Sequence, residues 1–212
     1  MRFFALTLLI LIALPLLPAK GMDVASTIRK DLPKDAPYAS FAGGCFWCLE
    51  SEFRRIEGVL YTRSGYEGGT FENPSYEAVT TGRTGHAETT EIYYDPEKVT
   101  YRQLLDHFLR RAHDPTTLNA QGVDVGTQYR SAIFYHDDSQ KKDAEEAIAA
   151  AEAEKVWKDA KIVTTLEPHT KFWPAEEYHQ QYYEKYEEKT GSPHIRALYK
   201  MQKWAKQKQE SQ

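Results

Sequence analysis

The sequence predicts an α+β fold: a two-layer sandwich with a mixed, mostly antiparallel sheet around a split β-α-β core, an arrangement called ferredoxin-like. Segments rich in β-branched and aromatic residues alternate with segments of helical periodicity, in the order strand, helix, strand, strand, helix, strand, helix, strand, helix. The chain has 212 residues, of which 41% are hydrophobic, so it can bury one substantial core. No internal repeat or second domain is evident, which indicates one globular unit.

The first strand and the first helix meet at a glycine pair. Residues 38–41 have strand composition. Apolar residues then recur at helical spacing at Phe46, Leu49, Phe53 and Ile56. Because Gly58 offers a helix stop, the helix is expected to end just before it. Cys45, which directly follows Gly44, is therefore predicted to lie at a strand-to-helix turn.

The remaining elements follow from composition and turn residues. Strand composition is found in residues 59–66, 87–94, 130–136 and 162–166. Residues 67–75 carry glycine, asparagine and proline and predict a loop. Thr100 is expected to cap a helix whose apolar side is formed by Leu104, Leu105, Phe108 and Leu109. Residues 137–157 are rich in Ala, Glu and Lys and predict an exposed helix.

The first 20 residues have the pattern of a secretory signal peptide. Arg2 precedes an apolar run at residues 3–17, interrupted by Thr7 and Pro15, and small residues follow around Ala19. An uncleaved membrane anchor is the alternative, but the run is shorter than the ~20 residues that span a bilayer. We therefore expect cleavage, export to the periplasm or the extracellular space, and no stable membrane insertion afterwards.

The rest of the chain divides into a linker, a domain and a tail. Residues 21–37 mix charges with prolines and are interpreted as a linker before the folded domain at 38–198. Residues 199–212, in which lysines alternate with glutamine, are expected to form a charged and polar tail. The formal net charge of −4 gives no basic surface for nucleic acid, and we expect a monomer.

Cys45 is the strongest candidate for a nucleophile. The glycines permit a tight bend, and the free N–H groups and positive dipole end of the following helix favour a thiolate. A buried structural role is the alternative for a lone cysteine. Cys48 lies so close in sequence that a disulfide would close only a small loop, which argues against a structural bond and favours reversible thiol chemistry.

Gly44-Cys45-Phe46-Trp47, followed by Glu50, resembles the active-site signature of peptide methionine sulfoxide reductases of the A type. Four more segments occur in the order of that family: Asn73-Pro74-Ser75-Tyr76, Gly85-His86-Ala87-Glu88, Gly126-Thr127-Gln128-Tyr129-Arg130-Ser131 and Tyr178-His179-Gln180-Gln181-Tyr182. The resemblance implies a catalytic reductase domain at 38–198. It also implies reduction of methionine S-sulfoxide, free and in proteins, as repair after oxidative damage.

The resemblance assigns the central roles to four residues. Cys45 attacks the sulfoxide sulfur, while Phe46 and Trp47 line an apolar pocket that holds the substrate methyl group. Glu88 is the proton donor, because a sulfoxide oxygen leaves poorly unless it is protonated. A carboxyl in an apolar pocket keeps its proton at neutral pH, although on sequence alone Glu88 could equally be a solvated strand residue.

Further positions are carried over with supporting roles. Tyr76 and Tyr129 donate hydrogen bonds to the sulfoxide oxygen and stabilise developing charge. Asp124 is expected to shape the substrate site or bind water there. His179 and Gln180 are expected on a helix, where His179 is interpreted as a scaffold residue with satisfied hydrogen bonds.

Cys48 departs from the common family pattern, which has glycine at that position, and the C-terminal recycling cysteines of many members are absent after Gly191. Cys48 is favoured as the resolving thiol: it would form a disulfide with Cys45, which a thioredoxin-type donor then reduces. Direct reduction of the sulfenic acid on Cys45 by an external thiol is the alternative. The resemblance implies no bound cofactor beyond this external reductant.

The sequence gives no indication of a metal site, and two other functions fit only part of it. The seven histidines show no spacing typical of a zinc site and there is no spare cysteine, so no metal is expected. Cys-x-x-Cys at a strand-to-helix turn is also typical of thioredoxin-like disulfide oxidoreductases. A secreted binding module that recognises methionine is the non-enzymatic alternative. The four additional segments favour the reductase over both.

Overall fold

The structure is a computed structural model that describes residues 32–33 and 35–196. The predicted signal peptide at 1–20, most of the predicted linker at 21–37 and the predicted tail at 199–212 lie outside these residues. Within the described part of the chain, no helix is long and apolar enough to cross a membrane.

The main sheet has six strands, in the order β7-β6-β1-β3-β2-β8. Their bounds are Tyr38–Gly43 (β1), Val59–Glu67 (β2), Ala87–Tyr94 (β3), Ser131–Tyr135 (β6), Thr165–Pro168 (β7) and Trp173–Pro174 (β8). Two short strands, β4 (Ala120–Gln121) and β5 (Asp124–Val125), form a separate antiparallel pair. Strands β6 and β7 are parallel and the other neighbours in the main sheet are antiparallel, which confirms the mixed, mostly antiparallel sheet.

The split β-α-β core is present twice. Strand β3 lies between β1 and β2, antiparallel to both, and helix α1 (Phe46–Phe53) connects β1 to β2. Strand β1 in turn lies between β3 and β6, where Phe41 is opposite both Thr90 and Ile133. The predicted ferredoxin-like arrangement is confirmed, and it places the end of β1 and the start of α1 at the centre of the sheet.

The remaining helices are α2 (Tyr76–Thr80), α3 (Tyr101–His107), α4 (Asp138–Ala153) and α5 (Tyr182–Thr190), and a π-helical turn (Phe108–Ala112) continues α3. Helix α3 begins with a capping box between Thr100 and Gln103, as the cap at Thr100 predicted. The largest core cluster lies between the sheet and α1, α3 and α4, and its largest members include Phe41, Leu49, Phe53, Ile92, Leu104, Leu105, Phe108 and Ile133. Helix α4 meets this core through its buried alanines.

The structure differs from the sequence-based expectations at several element boundaries, where tertiary contacts determine the backbone conformation. Helix α1 ends at Phe53, and Gly58, with a φ of +96°, serves the turn into β2 instead of stopping the helix. The strand expected at 162–166 begins later, because pairing with β6 starts at Thr165. The Val163 N–H bonds to the carbonyl of Pro115 instead of joining the sheet. Helix α2 and the β4–β5 pair were not predicted.

His179 and Gln180 were expected on a helix, and this expectation was wrong in detail. His179 ends a short 3-10 turn, Glu177–His179, and Gln180 has an extended backbone. Gln181 has a left-handed conformation with a φ of +47°, so α5 starts only at Tyr182. This broken segment returns to α1 and forms one wall of the site described next.

Candidate active site

Cys45 lies at the turn between β1 and α1, where the sequence predicted it. Gly44 has a φ of +88°, and a Cβ at that position would lie 2.5 Å from Cγ of Gln121, so both the backbone and the space require glycine. Cys45 is the N-cap residue of α1, with φ −56° and ψ 119°. Its side chain is almost buried, with 9% exposed. The turn therefore presents one sulfur at the start of a helix, shielded from bulk water.

Glu88 lies on β3, opposite Tyr66 on β2, and is 1% exposed. Its Oε2 accepts a hydrogen bond of 3.0 Å from the backbone N–H of Phe46, the first residue of α1. Burial raises the pKa of Glu88 to about 8, and the Phe46 N–H offsets part of this rise. The carboxyl is therefore mostly protonated at neutral pH, as a proton donor must be.

The Cys45 thiol is not the thiolate that the helix start was expected to favour. A hydrogen bond with the Cys48 thiol, burial and the charge of Glu88 raise the pKa of Cys45 well above its usual range. The backbone N–H of Cys48 lowers the pKa in part, whereas the first N–H of the helix, that of Phe46, is donated to Glu88 and the Cys45 side chain makes no capping hydrogen bond. The neighbouring Cys48 thiol and burial therefore oppose the thiolate that the helix N-terminus was expected to favour.

Tyr76 and Tyr129 both lie near the thiol and the carboxyl. Tyr76 opens α2, and its backbone N–H donates to Oε1 of Glu176 at 2.9 Å. Tyr129 ends a 3-10 turn, Thr127–Tyr129. Burial and the charge of Glu88 raise the pKa of both phenols, so both hydroxyls keep their protons and can donate hydrogen bonds.

Phe46 lies in the core, whereas its neighbour Trp47 is partly exposed at the surface. The Phe46 ring is 1% exposed and packs in a cluster with Tyr66, Val79 and Ala175. Trp47 is half-buried: its indole N–H donates to Nδ1 of His179 at 3.0 Å, and its ring stacks on Tyr182 at 3.8 Å between centroids. Burial lowers the pKa of His179, so a neutral imidazole accepts this bond at Nδ1, while Nε2 is buried without a hydrogen-bond partner among the described residues, so the interpretation as a fully satisfied scaffold residue stays a prediction.

Asp124 lies on β5 and is held by an arginine that the sequence reasoning missed. Both guanidinium nitrogens of Arg196 donate to its carboxylate, at 3.0 and 3.1 Å. The charge of Asp124 contributes to the raised pKa of Glu88 and of Tyr129, so the ion pair lies close to the thiol and the carboxyl. Arg196 follows α5 and lies outside every recognised motif, so no signal in the sequence pointed to it.

Glu50 holds the segment before α5 against α1. Its carboxyl is 1% exposed and accepts from the Thr62 hydroxyl at 3.0 Å and from the Gln181 backbone and side-chain N–H groups at 2.8 and 3.0 Å. Burial raises its pKa to about 7, and these hydrogen bonds limit the rise. The sequence offered a signal for this role, because Glu50 lies on the apolar face of α1 between Phe46 and Phe53.

Cys48 lies one helical turn after Cys45 and is partly exposed. The Cys48 thiol contributes to the raised pKa of Cys45, so the two sulfurs lie near each other, and both are free thiols. The Cys48 sulfur also lies 3.0 Å from the hydroxyl of Tyr183, the second residue of α5. The structure thus brings together Cys45, Cys48 and the candidate proton donor at the start of one helix.

The arrangement of the thiol, the carboxyl and the two phenols is suited to one kind of chemistry. A buried thiol beside a protonated carboxyl and two neutral phenols can attack an electrophilic atom while a leaving oxygen receives a proton. In the described part of the chain, no group of three or more His, Cys, Asp or Glu side chains could hold a metal ion. The fold and site are those of a thiol-dependent oxidoreductase.

Comparisons with known proteins specify the family. Residues 37–212 match the family model described as peptide methionine sulfoxide reductase. The peptide methionine sulfoxide reductase MsrA of Methanothermobacter thermautotrophicus is 55% identical over 147 residues, which cover 69% of this chain and 86% of that protein. The crystal structure of reduced Mxr1 from Saccharomyces cerevisiae superposes with a TM-score of 0.67 and 37% identity, over 73% of this chain and 87% of Mxr1. Mxr1 in complex with Trx2 gives a TM-score of 0.50 and 28% identity, over 71% of this chain and 87% of Mxr1.

The chain belongs to the A-type peptide methionine sulfoxide reductases, and it is a methionine sulfoxide reductase. The resemblance based on five short segments is therefore confirmed.

Replacing Glu50 tests the link between α1 and the segment before α5. Glu50→Ala leaves the N–H groups of Gln181 and the hydroxyl of Thr62 without their buried acceptor, so the free energy of unfolding should fall by about 3 kcal/mol. Urea unfolding measures this loss. Glu188→Ala, which removes an exposed carboxylate from α5, is the control and should change stability by about 0.5 kcal/mol or less. Equal stability of the two variants would show that the buried carboxyl does not hold this segment.

Proposed function

We propose that the enzyme reduces methionine S-sulfoxide, free and in proteins, through a sulfenic acid on Cys45 and then a Cys45–Cys48 disulfide. The observation that carries this proposal is the buried, protonated carboxyl of Glu88, hydrogen-bonded to the N–H of Phe46 directly after the thiol. A reductase that must remove oxygen needs a proton donor at that place. A simple methionine-binding module has no use for one.

In the first half-reaction, the Cys45 sulfur attacks the sulfoxide sulfur while Glu88 protonates the oxygen. The attack forms a bond between the two sulfur atoms, and this bond breaks again as the protonated oxygen passes from the methionine sulfur to the Cys45 sulfur. One sulfur–oxygen bond is thus broken, one is formed, and methionine leaves. The thiol proton replaces the one that Glu88 gave, so the net change is thiol plus sulfoxide to sulfenic acid plus methionine. The raised pKa of Cys45 means that the thiol gives up its proton as the carboxyl delivers one, without a preformed thiolate.

The substrate oxygen is proposed to lie among Glu88, Tyr76 and Tyr129, whose raised pKa values keep all three as hydrogen-bond donors at neutral pH. The methyl group is assigned to the aromatic side of the site at Phe46 and Trp47. With the oxygen and the methyl group fixed, the remaining substituent of sulfur has one direction left, and this geometry selects one epimer.

In the second half-reaction, Cys48 is proposed to attack the sulfenic acid. The influence of Cys48 on the pKa of Cys45 and their separation by one helical turn indicate that the two sulfurs are close, which favours Cys48 over a thiol from solution. Similarity to Mxr1, which has been crystallised with Trx2, supports a thioredoxin-type donor for the resulting disulfide. Because Cys48 is the more exposed of the two cysteines, it is the sulfur that such a donor reaches first.

We also propose that the enzyme is exported and repairs oxidised methionine in exported proteins. The charged start at Arg2, the apolar run at 3–17 and the small residues around Ala19 support this proposal. Amino-terminal sequencing of the protein isolated from its own cells is the test, with Lys20, directly after Ala19, or Gly21 expected as the first residue. An intact first residue at Met1 would contradict cleavage.

The role of Glu88 is tested by Glu88→Gln, which keeps an acceptor for the Phe46 N–H but gives no proton. Methionine formation in a single turnover should fall about 100-fold or more, a typical contribution of general acid catalysis. In the wild type the rate should decline as the pH rises above about 8, because Glu88 then loses its proton. This alkaline decline should be absent from the variant.

Two variants control the Glu88 experiment. Glu91→Gln, a second buried carboxyl on β3, should retain the methionine yield of the wild type, since its partner is Arg63 and not the substrate. Cys45→Ser should form no methionine. A Glu88→Gln enzyme with the wild-type rate and pH profile would rule out Glu88 as the proton donor, and full activity of Cys45→Ser would overturn the whole proposal.

Stereochemistry is tested with peptides that contain a single epimer of methionine sulfoxide. Dithiothreitol serves as reductant, so that no protein donor influences the result. The resemblance and the three-sided arrangement around the substrate sulfur lead us to expect turnover of the S epimer alone. Comparable consumption of the two epimers, followed by chromatography of the peptides, would contradict this arrangement.

The resolving role of Cys48 is tested with Cys48→Ser. The variant should still form one equivalent of methionine, whereas sustained turnover with a thioredoxin-type donor should fall sharply and dithiothreitol should restore part of it. Mass spectrometry of oxidised wild type should show the loss of two hydrogens. A stable sulfenic acid in the wild type, together with normal donor-driven turnover of Cys48→Ser, would instead favour an external resolving thiol.

A further inference from the structure

The side chain of Tyr183 contacts the sulfur of Cys48. Its hydroxyl oxygen lies 3.0 Å from the Cys48 sulfur, and the side chain is 4% exposed. Tyr183 directly follows the recognised segment that ends at Tyr182 and lies outside the groups proposed for the first half-reaction. A buried hydroxyl at this distance from a reacting sulfur requires a chemical explanation.

We propose that Tyr183 is a catalytic residue of the second half-reaction, in which its hydroxyl donates a hydrogen bond to the Cys48 sulfur and aims that sulfur at the sulfenic acid of Cys45. This inference rests on the proposed resolving role of Cys48 and adds a residue to it.

The position of the Tyr183 hydroxyl is fixed from two sides. Its ring stacks on His194, with 4.9 Å between centroids and 14° between ring planes. The residue before α5, Gln181, is bound through its backbone and side chain to Glu50 on α1. Because Cys48 also belongs to α1, the hydroxyl and the sulfur are positioned relative to the same helix, and their contact does not depend on a flexible loop.

The hydroxyl is the donor in this pair once Cys48 is a thiolate, because a thiolate has no hydrogen to give. Burial and the charge of Cys48 raise the pKa of Tyr183, so the phenol keeps its proton throughout the pH range of the reaction. A neutral phenol that faces sulfur stabilises the thiolate by donating its hydrogen, and hydrogen bonds to charged atoms are among the stronger ones. The contact therefore favours the reactive form of Cys48 as well as its direction.

The step balances without any added reagent. The Cys48 thiolate attacks the Cys45 sulfur, a sulfur–sulfur bond forms and the sulfur–oxygen bond of the sulfenic acid breaks. Hydroxide leaves and takes up the proton released by Cys48, so that one water molecule is produced. Cys48 is oxidised, the sulfenic sulfur of Cys45 is reduced to the level of a disulfide, and Tyr183 keeps its proton throughout.

The experiment separates the two half-reactions in Tyr183→Phe, which keeps the ring stacked on His194 and removes only the hydroxyl. Reduced full-length enzyme is mixed with one equivalent of methionine sulfoxide, and samples are quenched in time with a sulfenic acid trap and analysed by mass spectrometry. We expect one equivalent of methionine from the variant, but disulfide formation slowed about ten-fold or more, as for loss of a hydrogen bond to a charged atom. The sulfenic acid should accumulate, and the rate of disulfide formation should need a higher pH to reach its plateau.

The matched control is Tyr186→Phe, because Tyr186 lies on the same helix and contacts the same His194 ring at 4.9 Å. This control should form the disulfide at the wild-type rate. Disulfide formation in Tyr183→Phe with the wild-type rate and pH profile would overturn the inference while leaving the resolving role of Cys48 intact. Failure of the wild type itself to form the disulfide would overturn both, and an equal loss of methionine formation and disulfide formation in Tyr183→Phe would show a merely structural residue.

Discussion

The hydrogen bond from the Phe46 backbone N–H to the Glu88 carboxyl joins the start of α1 to the middle strand of one split β-α-β unit. It is possible because β3 lies beside β1 at the centre of the sheet, where Glu88 is removed from water. Burial raises the pKa of the Glu88 carboxyl. The Phe46 N–H donates a hydrogen bond to one carboxyl oxygen, and Glu88 keeps its proton at neutral pH. A fold that exposed this edge of β3 would leave an ordinary ionised glutamate.

Helix α1 organises the other side of the site in the same way. Glu50 binds the segment around Gln181, Trp47 binds His179, and the Cys48 sulfur contacts Tyr183. These contacts are hydrogen bonds, and the Trp47 ring also stacks on Tyr182, so the returning segment is fixed in direction as well as in distance. The short helix therefore serves as the common reference for the thiols, the carboxyl and the aromatic residues.

The fold was predictable from sequence because its strands and helices have clear periodicity, and the five short segments identified the residues that surround Cys45. The contacts made by the returning segment were not predictable, since Cys48 and Tyr183 are separated by 135 positions and nothing local links them. Arg196 was missed for the same reason, although it binds Asp124 through two hydrogen bonds. The local rule about helix dipoles that favoured a Cys45 thiolate took no account of the Cys48 thiol, of burial or of the Glu88 carboxyl delivered by a distant strand, all of which raise the pKa of Cys45.

The central claim is that Glu88 holds a proton at neutral pH. The most direct measurement is the infrared difference spectrum between the wild type and Glu88→Gln, which isolates the C=O stretch of this one protonated carboxyl. The account predicts that the band is present at neutral pH and disappears with a midpoint near pH 8, as burial of the carboxyl requires. A midpoint near the ordinary glutamate value of about 4.3 would show an ionised carboxylate at working pH and would contradict the account.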